Sequence, residues 1–242
     1  MGTFVEYVVR FELPDPPRAE DLPQEDGIPL ESSWHRSQIN LLLELVYGLW
    51  PDRRDFVAGG NMFIYYRLPQ RGYRGPDFFV VKGVDGSYPR QKWIVWLEKD
   101  RFPNVIVELA SPTTIDEDLG PKRELYERVF ETPEYFCLDP ATATLQGWRL
   151  DRARYVSIEP DEQGWLWSEQ LGVWFGLWDG VYLNEDARWL RLYDSDRRLV
   201  PTPLELERRR ADDERQRADD ERRRADRLAE RLRNLGYDAD EG

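Results

Sequence analysis

Cysteine and histidine are almost missing from this chain of 242 residues, with Cys137 and His35 the only examples of each. A single cysteine builds no internal disulfide framework, which fits a cytoplasmic setting. A single histidine supplies neither a zinc ligand set nor a Ser-His or Cys-His nucleophile system. No apolar run reaches the roughly 18 residues of a membrane-crossing helix, and no basic stretch leads into an apolar one at the amino terminus, so neither a span nor a secretory signal is expected. Positive charge is also short. Lys and Arg number 34 against 47 Asp and Glu, a formal net charge of −13, which disfavours loose adhesion to a phosphate backbone.

What is present concentrates between Gly75 and Pro140. Phe78 to Val81 and Val105 to Val107 are short, β-branched or aromatic runs, the pattern of buried strands, and each carries a carboxylate at one end, Asp77 and Glu108. Alone, Asp77 after Pro76 also reads as a turn aspartate. Glu108, at the end of a buried run, costs desolvation unless a partner compensates it. Lys122 follows on the expected opening turn of a helix, with Asp118 as a cap candidate and Pro121 in the first turn. A lysine there opposes the helix dipole and asks for an anion, although an exposed helix-end lysine is the plainer alternative. Tyr126 shares its face and either steadies the site or packs in the core, while Leu125 and Val129 are expected to turn inward. Two acids and one amine in one pocket suit metal-dependent phosphodiester cleavage, because magnesium accepts one or two carboxylates with carbonyl and phosphate oxygens and activates a bound water.

Pro76-Asp77, Val107-Glu108-Leu109-Ala110-Ser111-Pro112-Thr113-Thr114, Asp118-Leu119-Gly120-Pro121-Lys122 with Tyr126, Glu134-Tyr135-Phe136 and Asp139-Pro140 together resemble the Uma-type restriction endonuclease family, within the PD-(D/E)XK nuclease superfamily. The resemblance extends from about Ser32 to Pro203, through Trp189 to Asp194 and Leu199 to Pro203. It implies an α/β, restriction-endonuclease-like core with a mixed β-sheet flanked by helices, and a DNA endonuclease dependent on Mg2+, with Mn2+ as substitute. Asp77, Glu108 and the backbone carbonyl of Leu109 would be the metal ligands. Ala110 stands where many of these nucleases carry lysine, two residues after the glutamate, so Lys122 inherits that role by the resemblance. Glu44 is an accessory candidate, since a first-helix glutamate sometimes joins such sites; a solvated face is the alternative.

Around this centre, Phe4 to Phe11 reads as an edge strand and Pro14 to Pro29 as a proline- and acid-rich surface link. Ser32 or Ser33 caps a helix whose apolar positions Ile39, Leu42, Leu43, Val46 and Leu49 recur at helical spacing until Pro51. His35, near its start, reads as an ordinary surface or packing histidine. Gly59-Gly60-Asn61 reads as a turn, Met62 to Arg67 and Trp93 to Leu97 as strands, and Thr144 to Leu150 with Arg154 to Ile158 as a hairpin. Arg67, Arg71, Arg74, Lys82, Arg90 and Lys92 either make the site locally basic or are solvated loop charges. The tryptophans from Trp148 to Trp189 suit sheet packing better than stacking on bases.

The expected division is a domain over 1–203, a charged helix over 204–237 and a disordered tail over 238–242. In the helix, Ala211, Ala218, Ala225 and Leu232 share one heptad position, while Glu214 and Glu221 precede Leu228 and Leu235 on the opposing seam. A monomeric helix and a coiled-coil homodimer both fit, as does pairing through the core. Gly236 ends the helix. The rival to an active nuclease is a nuclease-fold protein that no longer cuts and acts as an interaction or regulatory module through its tail.

Overall fold

The computed structural model describes residues 18, 32–67 and 72–234. The expected strand from Phe4, nearly all of the proline-rich link, Arg71, the helix stop at Gly236 and the tail from 238 lie outside the described residues. Helix α1 spans Ser33–Leu49, and the Ser32 hydroxyl caps it by accepting from the His35 amide at 3.1 Å. Its apolar face buries Ile39, Leu41, Leu42, Leu45 and Val46 against the main sheet. Gln38 fixes its rotation: the fully buried side chain donates to the Leu190 carbonyl at 3.0 Å and accepts from the Leu190 amide at 2.7 Å.

Ten of the strands that build the molecule are β1 (Phe56–Gly60), β2 (Ile64–Arg67), β3 (Gly72–Arg74), β4 (Phe78–Lys82), β5 (Trp93–Ile94), β6 (Val105–Leu109), β7 (Glu134–Asp139), β8 (Thr144–Asp151), β9 (Arg154–Ser157) and β10 (Leu166–Ser168), followed by β11 (Val173–Tyr182) and β12 (Glu185–Tyr193). The main sheet has the order β1-β4-β6-β7-β8-β9, with β6 and β7 parallel and the other neighbours antiparallel. It is the mixed sheet that the sequence implies. Side chains alternate across it. Phe78, Val80, Val105 and Val107 meet α1, while Phe79, Val81 and Ile106 face a second apolar layer with Tyr126 and Tyr135. Burial on both faces explains why these strands read as continuous apolar runs.

Two expectations change here. Gly59 and Gly60 end strand β1 instead of forming the turn, which falls on Asn61 at φ 47°. A Cβ at Gly59 would sit 2.5 Å from the ring of Phe79 on the neighbouring strand, and one at Gly60 2.3 Å from Ile39 on α1, so the two glycines make room for a cross-strand ring and for the helix. Trp93–Ile94 is a short strand that turns at once into a 3-10 turn over Val95–Leu97.

β10, β11 and β12 form a second sheet, and β3, β2 and β5 a third. Glu134, fully buried, ties the second sheet to the first by accepting from the Ser168 hydroxyl and, at 2.8 Å, from the Glu169 amide. The long charged helix spans Pro203–Asn234 and is labelled α4 once the shorter α2 (Ile115–Glu117) and α3 (Arg123–Arg128) are counted. Its first turn is locked to the core: fully buried Arg191 donates to Glu205 at 2.8 Å and to the Val200 carbonyl at 2.9 Å. Thr202 and Glu205 bond reciprocally, at 2.8 and 3.2 Å, as a capping box. Among the described residues, no helix is long and apolar enough to cross a membrane.

Candidate active site

Strands β4 and β6 bring the two acids together. Phe78 pairs with Val107 in antiparallel register, so Asp77 and Glu108 lie one step beyond that pair, on the sheet face that Phe79 and Ile106 share. The contacts are reciprocal. The Leu109 amide donates to Asp77 Oδ2 at 2.7 Å, and the Asp77 amide makes a long contact to Glu108 Oε2 at 3.4 Å.

The connection after β6 delivers the cation. α2 runs without a break into a π-helical turn over Asp118–Lys122 and then into α3. Pro121 sits inside that turn, where it has no amide proton to donate, and the helix widens there. This corrects two expectations, because Asp118 is not the cap and Pro121 is not in the first turn. Lys122 donates to Glu108 Oε2 at 3.2 Å and ion-pairs with Asp118 Oδ1 at 2.7 Å. The Lys122 ammonium is thus shared between two buried carboxyl groups. The Tyr126 hydroxyl donates to Glu108 Oε1 at 2.7 Å while its ring packs against Phe130 and Tyr135, so both readings of Tyr126 hold at once. Val129 is exposed, and Phe130 takes the inward position expected of it.

His35 was not expected here. Its Nε2 stands 3.0 Å from Asp77 Oδ1, with the ring buried at the start of α1. Nothing in its sequence neighbourhood points across 42 residues to Asp77. Asp118 was more legible, since its spacing to Lys122 is that of an i,i+4 ion pair. Glu44 lies nine residues beyond His35, about 13 Å along the helix, and its charge acts on the Tyr182 phenol, which burial also pushes up. The basic side chains expected around the site are largely committed to other partners. Arg74 pairs with Glu117 at 2.9 Å, Arg90 with Glu98 at 2.6 Å, and Lys82 reaches the Gln170 carbonyl at 2.8 Å from the far end of β4.

Charge in the cluster is unbalanced. Burial pushes the Glu108 carboxyl well above the usual range, and the neighbouring Asp77 and Asp118 add to this against Lys122 and Tyr126. Burial likewise raises Asp118. Asp77 goes the other way: burial opposes ionisation, but the bond and charge of His35, the Leu109 amide and Lys122 hold it below the ordinary carboxylate value. For Lys122 burial works against the ammonium, yet Glu108 and Asp118 outweigh it and raise the pKa, so the side chain is an ammonium at neutral pH. Three carboxyl groups thus crowd one lysine and one histidine, and a cation bound there would take the place of the proton that burial favours on Glu108. Among the described residues no three His, Cys, Asp or Glu side chains form a metal-binding group by themselves. Magnesium asks for less, since it takes one or two carboxylates and completes its octahedron with carbonyl and water oxygens. The all-oxygen donor set of Asp77 and Glu108 fits that demand. Access is from the Asp77 and Lys122 side, where 16% and 14% of the side-chain surface is open while Glu108 has none.

Fold and cluster together describe an α/β protein whose mixed sheet ends in a buried carboxylate-lysine centre. The model of the Uma2 family, described as "Putative restriction endonuclease", matches residues 6–184, and the chain belongs to that family. The match begins before Ser32 and ends before Pro203, the limits of the resemblance read from the motifs. Among solved structures, the chain is similar to a putative nuclease belonging to DUF820 from Anabaena variabilis ATCC 29413, with 14% identity, a TM-score of 0.44 and coverage of 63% of this chain and 87% of that one. No curated protein matches it.

Proposed function

We propose that this protein is a magnesium-dependent DNA endonuclease of the PD-(D/E)XK type that hydrolyses phosphodiester bonds. The observation that carries the proposal is the convergence of Asp77, Glu108 and Lys122, from two strands and the following helix, on one partly open centre. Asp77, Glu108 and the Leu109 carbonyl would hold Mg2+, or Mn2+ in its place. When bound, the ion supplies charge neutralisation at the phosphoryl group and a water of lowered pKa.

The chain's own groups have separable tasks. Lys122, an ammonium held by Glu108 and Asp118, orients the attacking water and stabilises charge growing on the phosphate oxygens; its raised pKa argues against a role as general base. Tyr126 fixes one oxygen of Glu108, and the apolar layer behind it keeps bulk water from that carboxylate. A module that only bound partners through its tail would have no use for a buried carboxylate cluster that costs desolvation energy. Supercoiled plasmid DNA incubated with Mg2+ or Mn2+ tests the proposal. Nicking that requires the metal and vanishes in Asp77→Ala and Glu108→Ala supports it; cleavage unchanged in either variant overturns it.

A further inference from the structure

Helix α1 is clamped at its first turns by contacts that do not involve the candidate site. The Trp34 indole donates to the Arg188 carbonyl at 3.2 Å and stacks with Trp189 at 6.0 Å between ring centroids, and Gln38 bonds both main-chain groups of Leu190. Residues 34 and 38 lie four apart on one side of the helix. His35, about 100° around from Trp34, is thereby presented to Asp77. The imidazole is buried and its Nε2 lies 3.0 Å from Oδ1. A carboxylate oxygen only accepts, so Nε2 carries the hydrogen. Asp77 is then held at both oxygens, Oδ1 by His35 and Oδ2 by the Leu109 amide. Each oxygen keeps a further lone pair.

We infer that His35 is a positioning residue: it fixes the plane of the Asp77 carboxylate so that Asp77 can accept a divalent cation jointly with Glu108. This rests on the metal-dependent reading proposed above. The reason for such a residue is conformational. A carboxylate held at one oxygen can still swing about that bond, and a loosely oriented ligand loses affinity for a cation that demands near-ideal octahedral geometry. The histidine does not touch the scissile group, and its effect passes through Asp77.

The experiment measures Mn2+ binding to the purified full chain by calorimetry, without DNA, for wild type, His35→Ala, His35→Phe, His35→Gln and Asp77→Asn, with circular dichroism and Tm recorded for each. Affinity should fall about 10- to 100-fold in His35→Ala and His35→Phe and return close to wild type in His35→Gln, whose amide restores an N–H donor. Excess Mn2+ should also recover the nicking rate of His35→Phe. Wild-type Mn2+ affinity in folded His35→Phe, alongside lost affinity in Asp77→Asn, overturns the role of His35 and leaves the metal site standing. Wild-type affinity in Asp77→Asn, or no Mn2+ binding by the wild type, overturns the metal-dependent reading itself. Should His35→Ala fail to fold, the contrast between Phe and Gln decides, since both fill the site and only one donates. Equal loss in both would assign the effect to packing and overturn the inference.

Discussion

Lys122 lies 3.2 Å from Glu108 although 14 residues separate them, because β6 and the helix that follows fold the chain back on itself across a π-helical turn. Two residues after the glutamate, on the strand itself, stands Ala110, buried in the apolar layer. The ammonium reaches the same carboxylate from outside the strand.

Removing that ammonium should separate rate from binding. In Lys122→Ala the two proposed ligand carboxylates remain, so Mn2+ affinity measured by calorimetry should stay near wild type. The single-turnover cleavage rate should drop by a factor on the order of 10² to 10³, the usual cost of one electrostatic stabiliser. A fall in Mn2+ affinity as large as the fall in rate would mean that Lys122 serves ligand placement instead.

Tyr126→Phe keeps the ring among Phe130 and Tyr135 and deletes only the hydroxyl that bonds Glu108 at 2.7 Å. A buried acceptor left without its donor costs about 1–3 kcal/mol, or a Tm drop of several degrees for a chain of this size. Urea unfolding should show the lower midpoint at an unchanged slope. A Tm equal to wild type would show that Glu108 finds another donor.

Proton linkage at Glu108 should be visible as well. Its folded pKa is raised, so the folded state binds this proton more tightly than the unfolded chain. Its contribution to stability is therefore full below the ordinary glutamate value and is lost as pH rises through the folded one. A cation bound there requires the carboxylate and expels the proton. The Mn2+-induced rise in Tm should therefore grow as pH rises above the ordinary glutamate value in the wild type and flatten in Glu108→Gln. Asp77, whose pKa is lowered, is already ionised across that window and adds no slope. A thermal shift independent of pH in the wild type would contradict a buried, proton-holding Glu108.

The start of α4 should matter to the core more than its surface position implies. Glu205→Ala removes the partner of fully buried Arg191 and the capping box with Thr202. An unpaired buried guanidinium is expensive, although Glu205 keeps 30% of its side-chain surface exposed and its contribution is screened accordingly. A loss of about 2 kcal/mol in urea unfolding is expected, more than for Arg198→Ala, whose ion pairs are at the surface. Equal effects would show that the lock adds nothing to the core.

Much of this arrangement was legible in local sequence. The apolar runs ending in Asp77 and Glu108, the Ser32 cap with the helix after it, the β8–β9 hairpin and the charged helix from Pro203 all follow from periodicity and turn chemistry. Residues whose conformation depends on distant partners were not. Gly59 and Gly60 look like a turn until Phe79 and Ile39 are seen to need the space of their missing side chains. The π-helical turn at Pro121 and the exchange of Val129 for Phe130 depend on how α3 settles over β6 and β7. His35 and Asp118 joined the candidate site only when α1 and the π-turn were folded against it. A lone histidine carries no periodic signal, and an aspartate four residues before a lysine is common on solvated helices.

The most direct test is a crystal soaked in manganese and measured for anomalous scattering. The account predicts one peak between Asp77 and Glu108, with carboxylate oxygens of both at about 2.0–2.3 Å and Lys122 beside it. A peak at other residues, or none there at saturating manganese, would contradict it.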